Sequence, residues 1–196
     1  MRADPPTAQI HPWIFPSKPW SRVLADFAGP VSGKMYFVLV DAYSKYPEVV
    51  QMKSTTAEAT VKDLREVFSR HGLPEILVTD NGPQFTSKEL ADFCLTTGIM
   101  HRTSSAYKPS TNGQAERVIQ VLKSALRQAE VLKQDAETVL QRYLPSYHIT
   151  PHSTTGIAPS VLLMRRKLRI RLDLIFPSFT KKVEVEQESM ACVEIG

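Results

Sequence analysis

Ile76-Leu-Val-Thr-Asp80-Asn-Gly-Pro83 is an apolar run that ends on an acid and opens directly into a turn. Asn-Gly and Gly-Pro are turn dipeptides, so the run reads as a short buried strand stopped at Asp80. Helical patterns bracket it. Ser54-Thr-Thr-Ala-Glu is a cap for a helix reaching about Arg70, with Val61, Leu64, Val67 and Phe68 on one face and Gly72 and Pro74 as its stop. A second helix starts near Thr86 or Ser87, stops at Gly98, and leads into a short strand near Ile99 to Thr103. Upstream, Arg22-Val-Leu-Ala-Asp-Phe reads as a strand to Asp26, followed by a turn through Gly29, Pro30 and Gly33. Met35-Tyr-Phe-Val-Leu-Val is a buried strand, and Tyr46-Pro-Glu-Val-Val-Gln-Met is its hairpin partner. After a loop to Gly113 comes long helical material with Val118, Val121, Leu122 and Ala125 on one face. Three early strands followed by alternating helix and strand indicate an α/β fold with a mixed five-stranded sheet flanked by helices.

Three acids stand out within this frame. Asp26 and Asp80 close strand-like runs, and Glu116 lies just inside the helix announced by Ser110-Thr-Asn-Gly-Gln-Ala, with 35 residues between Asp80 and Glu116. Two carboxylates at strand ends and one on a helix can converge on a pair of magnesium ions, and such a site cuts or joins phosphodiesters. Each acid also has an ordinary explanation. Asp26 could cap a turn, Asp80-Asn81-Gly82 is a common turn sequence, and Glu116 suits the positive end of a helix dipole. The three flanks in order favour the catalytic reading.

Those flanks carry a family resemblance. Trp20-Ser-Arg-Val-Leu-Ala-Asp-Phe-Ala-Gly-Pro, Val78-Thr-Asp-Asn-Gly-Pro-Gln-Phe-Thr-Ser and Lys108-Pro-Ser-Thr-Asn-Gly-Gln-Ala-Glu-Arg resemble the catalytic core of a retroviral-type integrase, in particular those of gypsy-type long-terminal-repeat retrotransposons. Thr150-Pro-His-Ser-Thr-Thr-Gly is similar to the end of that core, and the resemblance spans roughly residues 11 to 176. Four ordered motifs are more specific than one short match. The resemblance implies a ribonuclease H-like fold and a two-metal centre using Mg2+ (or Mn2+). It places Asp26 and Asp80 on one ion, and Asp26 and Glu116 on the other. It also implies DNA as substrate, trimming of DNA ends by water, and attack of the freed 3′-hydroxyls on target DNA.

Further site residues follow from the same resemblance. Tyr107 and Asn112 fall in a loop that handles the DNA end, as does Pro109. Gln120 and Lys123 share a helix face with Glu116 and are expected on phosphates, and Arg117 is a further DNA-binding candidate that could instead brace the helix. Asp41 also ends an apolar run, but the matching acid in these integrases is not a principal metal ligand, so it reads as structural. Asp63 and Glu66 fall on the solvated side of their helix. His101, His148 and His152 read as surface or hydrogen-bonding histidines.

Composition narrows the remaining classes. The chain of 196 residues fits one domain with ragged ends: residues 1–19 as an extended lead-in, 20–164 as the core, and 165–196 as a basic then acidic tail. The formal charge of +4 hides an asymmetry, because Val183 to Gly196 holds Glu184, Glu186, Glu188 and Glu194 and no Lys or Arg. The densest basic cluster is Arg165, Arg166, Lys167, Arg169 and Arg171, continued by Lys181 and Lys182, a stripe suited to a phosphate backbone. Cys94 and Cys192 are too few for a disulfide framework and have no zinc-finger spacing with the five histidines, which points to a reducing compartment. No apolar run is long enough to span a bilayer. Complete integrases of this type carry a zinc-binding module before the core and a DNA- or chromatin-binding module after it, so the reading here is of a core alone, either a fragment of an element or a host gene derived from one. A homo-oligomer, dimer or larger, and a nuclear location accompany the enzymatic reading. The alternative is a domesticated module that binds nucleic acid or protein without turnover.

Overall fold

Residues 15–103, 113–170 and 173 are described by the computed structural model, with main chain only at 113 and 114. Two units divide the chain, Met1–Arg166 and Lys167–Gly196. In the first, ten elements follow one another: β1 (Arg22–Val31), β2 (Lys34–Asp41), β3 (Pro47–Met52), α1 (Ala57–His71), β4 (Ile76–Thr79), α2 (Lys88–Thr97), β5 (Met100–Thr103), α3 (Gly113–Val131), α4 (Ala136–Ile149) and α5 (Pro159–Met164). The five strands form one sheet in the order β3-β2-β1-β4-β5, antiparallel across β1, β2 and β3 and parallel from β1 through β4 to β5. This is the expected mixed sheet.

Strand alternation divides the core in two. Val23, Ala25, Phe37, Leu39 and Leu77 point to the side covered by Leu64, Val67 and Phe68 of α1 and Leu90 and Phe93 of α2. Leu24, Ala28, Tyr36, Val38, Val40 and Val78 point to the other, where Ala115, Val118, Ile119, Leu122 and Leu126 of α3 meet Ala136 and Leu140 of α4. A sheet buried on both faces needs near-continuous apolar strands, as Tyr36-Phe-Val-Leu-Val40 provides.

Several boundaries come from identifiable chemistry. The Ser87 side chain accepts from the Leu90 amide at 3.2 Å to start α2, and Gly98 ends it in the left-handed region at φ 71°. Thr56 caps α1, and Gly72 stops it. Asp41 is fully buried: one oxygen accepts from the Trp20 and Tyr43 amides (3.1 and 3.2 Å), the other from the Ser44 amide and hydroxyl (2.9 and 2.6 Å). Its structural role is therefore to close the β2–β3 turn and pin the segment before β1.

Two expectations need correction. β1 does not stop at Asp26, and Gly29-Pro30 is not a turn. The strand continues to Val31, and the two-residue turn is Ser32-Gly33, both at positive φ (50° and 75°) as a tight hairpin requires. Pairing runs Ala28↔Tyr36 and then Val31↔Lys34, so two residues of β1 lie opposite one of β2 in a bulge. The bulge shifts the alternation, and Val31 joins the α3 side with Leu24 and Ala28. On α3 the buried stripe is Ala115, Val118, Ile119, Leu122, Leu126 and Ala129, whereas Val121 is 49% exposed. Val118, Val121, Leu122 and Ala125 also satisfy helical spacing, but the sheet sits about a sixth of a turn away from the side they define.

The second unit is described only at 167–170 and 173. There Asp173 accepts the Ile170 amide at 2.8 Å and pairs with the exposed Lys167 ammonium at 3.2 Å. Arg171, Lys181 and Lys182 lie outside the described residues.

Candidate active site

The parallel pairing of β1 and β4 ends on Leu24↔Val78. Two residues further along each strand come Asp26 and Asp80, so the register sets them side by side on backbones about 4.8 Å apart. Leu24 and Val78 both face α3. With a side-chain period of two, Asp26 and Asp80 belong to that same face. Asp26 thus sits within β1, and only Asp80 is at a strand end.

An aromatic contact on the opposite face ties the two acid-bearing segments together. Phe27, next to Asp26, stacks on Phe85 with centroids 4.8 Å apart at 18°, and both rings pack near Phe37. Phe85 is 1% exposed and closes the turn after Asp80 through its amide to the Gly82 carbonyl, 2.9 Å. The phenylalanines of Asp26-Phe27 and Asn81-Gly-Pro-Gln-Phe85 therefore anchor the main chain that presents the acids.

Each carboxylate has a distinct environment. One oxygen of Asp26 accepts the Phe27 amide at 2.7 Å, and the other accepts Lys123 Nζ at 2.6 Å; both partners of the ion pair are mostly shielded (Asp26 28% and Lys123 18% exposed). Asp80 is exposed and folds back on the Gly82 amide at 2.9 Å. Gly82 has no room to spare, since a Cβ there would lie 3.0 Å from Asp80 Oδ1. Below Asp80, the buried Thr79 hydroxyl reaches the Asp80 carbonyl at 2.8 Å and His101 Nε2 at 2.9 Å, and burial lowers the His101 pKa. Glu116 is in the first turn of α3. Partial burial, and then the charge of Asp26, hold its carboxyl above the ordinary glutamate value, despite a helix dipole that favours the anion.

Asp26, Glu116 and Lys123 are thus brought together, with Asp80 beside Asp26 in register but turned onto its own loop. Among the described residues no three acidic, histidine or cysteine side chains are gathered tightly enough to hold an ion. Lys123, expected on DNA phosphates, lies on the Asp26 carboxylate here, because a half-buried acid next to Glu116 attracts the nearest flexible cation. Arg117 and Gln120 are exposed, and neither side chain has a hydrogen-bond partner among the described residues. Tyr107, Pro109 and Asn112 lie outside the described residues. His148 Nε2 is 3.0 Å from the Pro47 carbonyl and His152 accepts the Thr154 amide, as expected of hydrogen-bonding histidines. Asp63 is only half-exposed, and burial raises its pKa, with Glu66 adding to the effect. Arg127 lies one turn beyond Lys123 and is absent from the residues expected at the site, although its i, i+4 spacing was an available signal.

The buried thiol of Cys94 is pushed up to about 11 by desolvation and takes no part in this site. No helix among the described residues is long and apolar enough to cross a membrane.

The chain is similar to known proteins in sequence and fold. The integrase core domain family model matches residues 16–109. An uncharacterised protein of Caenorhabditis elegans is 39% identical over 175 residues, covering 89% of this chain, and the Pol polyprotein of Radiation murine leukemia virus is 34% identical over 127 residues, covering 62%. The chain spans 14% and 22% of the lengths of those two relatives. The HTLV-2 integrase catalytic core domain, solved in complex with magnesium, superposes with a TM-score of 0.60 at 22% identity, over 75% of this chain and 98% of that one. The sheet order and flanking helices are accordingly those of the ribonuclease H-like integrase cores.

Proposed function

Since the chain carries an integrase core domain of the retroviral type, we propose that it is a polynucleotidyl transferase that cuts and joins DNA phosphodiesters with divalent ions held by Asp26, Asp80 and Glu116. The observation that carries this reading is the convergence of Asp26 with Glu116, whose carboxyl is raised by burial and by the charge of Asp26, while register sets Asp80 alongside. Two anions forced together at a half-dry site favour a cation between them. The donors fit magnesium, which is hard and prefers carboxylate oxygens. The HTLV-2 neighbour solved with magnesium supports the same choice.

The reaction is an in-line displacement at phosphorus: one P–O bond forms as the opposite one breaks. The ions supply charge stabilisation to the attacking and departing oxygens. The chain's own contribution is positioning. The Phe27–Phe85 stack fixes the backbones that bear Asp26 and Asp80. To hold an ion through that oxygen, Asp80 would give up its hydrogen bond to the Gly82 amide, a loss of about 1 kcal/mol. Lys123 gives up Asp26 and turns to a DNA phosphate within reach of its flexible stem. Gln120 and Arg117, exposed on the same helix, extend that polar surface, and Tyr107 and Asn112 precede it in sequence. Assembly as a dimer or larger homo-oligomer and a nuclear location accompany this function.

Resolution of a branched DNA substrate in magnesium or manganese tests it. The wild-type chain should resolve the branch only with metal, and Glu116→Gln should lose more than the roughly 10–100-fold typical of disturbing an outer-shell partner. The variant should fold at least as well at neutral pH. A glutamate whose folded pKa is raised contributes its stability below the unfolded value and loses it as pH rises through the folded one, so above that window the ionised side chain gives none. Folded wild-type protein with no metal-dependent turnover would replace this reading with the non-catalytic binding module.

A further inference from the structure

A cavity of about 110 Å³ opens beside Asp26, lined by Phe27, Gly29, Pro30, Val31, Lys123 and Arg127. Its rim on β1 is the bulge. Gly29 can sit there only without a side chain, since a Cβ would lie 2.8 Å from the Lys34 carbonyl oxygen. Its other rim is α3, where Lys123 and Arg127 stand one turn apart on one face.

The two cations are not equivalent. Lys123 is engaged by Asp26 at 2.6 Å. Arg127 is exposed and has no hydrogen bond or ion pair among the described residues. The acid three residues along α3, Glu130, is spent elsewhere, accepting the Ser32 amide at 2.9 Å and fastening the helix to the β1–β2 turn. A guanidinium thus stands uncompensated over a small polar-rimmed cavity next to the carboxylate site. A lone solvated arginine would need no explanation; the cavity, the second cation and the diverted glutamate together do.

We infer that Arg127 and the β1 bulge form a second phosphate subsite, which grips the non-bridging oxygens of a DNA phosphodiester near the one that reacts. The inference rests on the polynucleotidyl transferase reading and adds a residue and a contact to it. The planar fork of arginine matches two phosphate oxygens at once. A cavity of this size, open to solvent on one side, has room for a phosphate group. Arg127 lies four residues beyond Lys123, ~6 Å along the helix. That spacing sets the phosphate held by Arg127 next to the one within reach of Lys123.

The salt dependence of DNA binding by the whole chain tests this. Losing one phosphate contact on duplex DNA lowers the slope of log K against log salt by about 0.9, so between 50 and 200 mM salt Arg127→Ala should lose about 3–4-fold less affinity than wild type. Arg127→Lys should keep most of the slope. Lys62→Ala, an exposed cation of α1 on the far side of the sheet, should match wild type. In a series of duplexes each carrying one neutral methylphosphonate at successive positions from the joint, one position should abolish the difference between wild type and Arg127→Ala. Wild-type binding with an unchanged slope in Arg127→Ala overturns the subsite and leaves the integrase reading intact. An equal change in Lys62→Ala overturns it too, since the effect would then be diffuse charge. Absence of any DNA binding by wild type overturns both.

Discussion

At the residue scale the decisive contact is Lys123 on Asp26. The charge of that half-buried carboxylate adds to the cost of ionising Glu116, and the ammonium pairs with it at 2.6 Å. Lys123→Ala should therefore destabilise the metal-free chain by about 1–2 kcal/mol, between the values for exposed and buried pairs. For a chain of this size that is about 2–8 °C in Tm. Magnesium should then raise the Tm of Lys123→Ala by more than it raises that of wild type, because the ion no longer competes with the lysine for Asp26. Thermal unfolding with and without magnesium measures both; equal magnesium shifts in the two proteins would show that Lys123 does not compete for the metal. Asp41 illustrates the reverse case. Its four hydrogen bonds saturate it, and no oxygen is left to serve a ligand.

At the scale of elements, β1 is the strand that sets the site, and its bulge is the feature the sequence reading misjudged. Gly29-Pro30 carries the composition of a turn, yet the neighbouring β2 continues to pair beyond it, so the chain absorbs the extra residue and remains a strand. Gly29→Ala meets two obstacles: φ of 122° and a backbone oxygen 2.8 Å from the new Cβ. It should cost at least about 1–3 kcal/mol, seen as a lower urea midpoint with an unchanged m-value. A midpoint equal to that of wild type would mean the bulge relaxes freely. Helix ends were legible where a single residue sets them: Ser87 and Gly98 both hold the positions that their side-chain chemistry dictates. The inward face of α3 was less so, because two overlapping stripes satisfy the same spacing and only contact with the sheet selects Ile119 and Leu126 over Val121 and Ala125.

At the scale of the whole molecule, the sheet carries a core on each face, and the candidate site lies where α3 closes over β1 and β4. Leu122 is wholly buried at the centre of that second core, one residue before Lys123. Leu122→Ala should cost about 2–5 kcal/mol through the lost burial and the cavity left behind. Because it also loosens the helix that carries Glu116, strand-transfer activity should fall at temperatures where the variant is still folded. Chemical unfolding alongside the branched-DNA assay separates the two effects, and full activity per folded molecule would show that α3 is held by contacts other than this core.

What the sequence determined by itself was the order of elements, most of their ends, and the identity of the acids. These depend on local chemistry: apolar runs bounded by Gly and Pro, hydroxyl caps, and short motifs flanking Asp26, Asp80 and Glu116. Tertiary structure decided what those residues meet. Strand register put Asp80 next to Asp26, the bulge moved Val31 to the α3 face, and α3 delivered Lys123 to a carboxylate 97 positions away in the chain. Arg127 gained its cavity, and Glu130 was drawn to Ser32, in the same way. Such partnerships are set by the packing of a helix on a twisted sheet, and spacing along one strand or one helix carries no record of them.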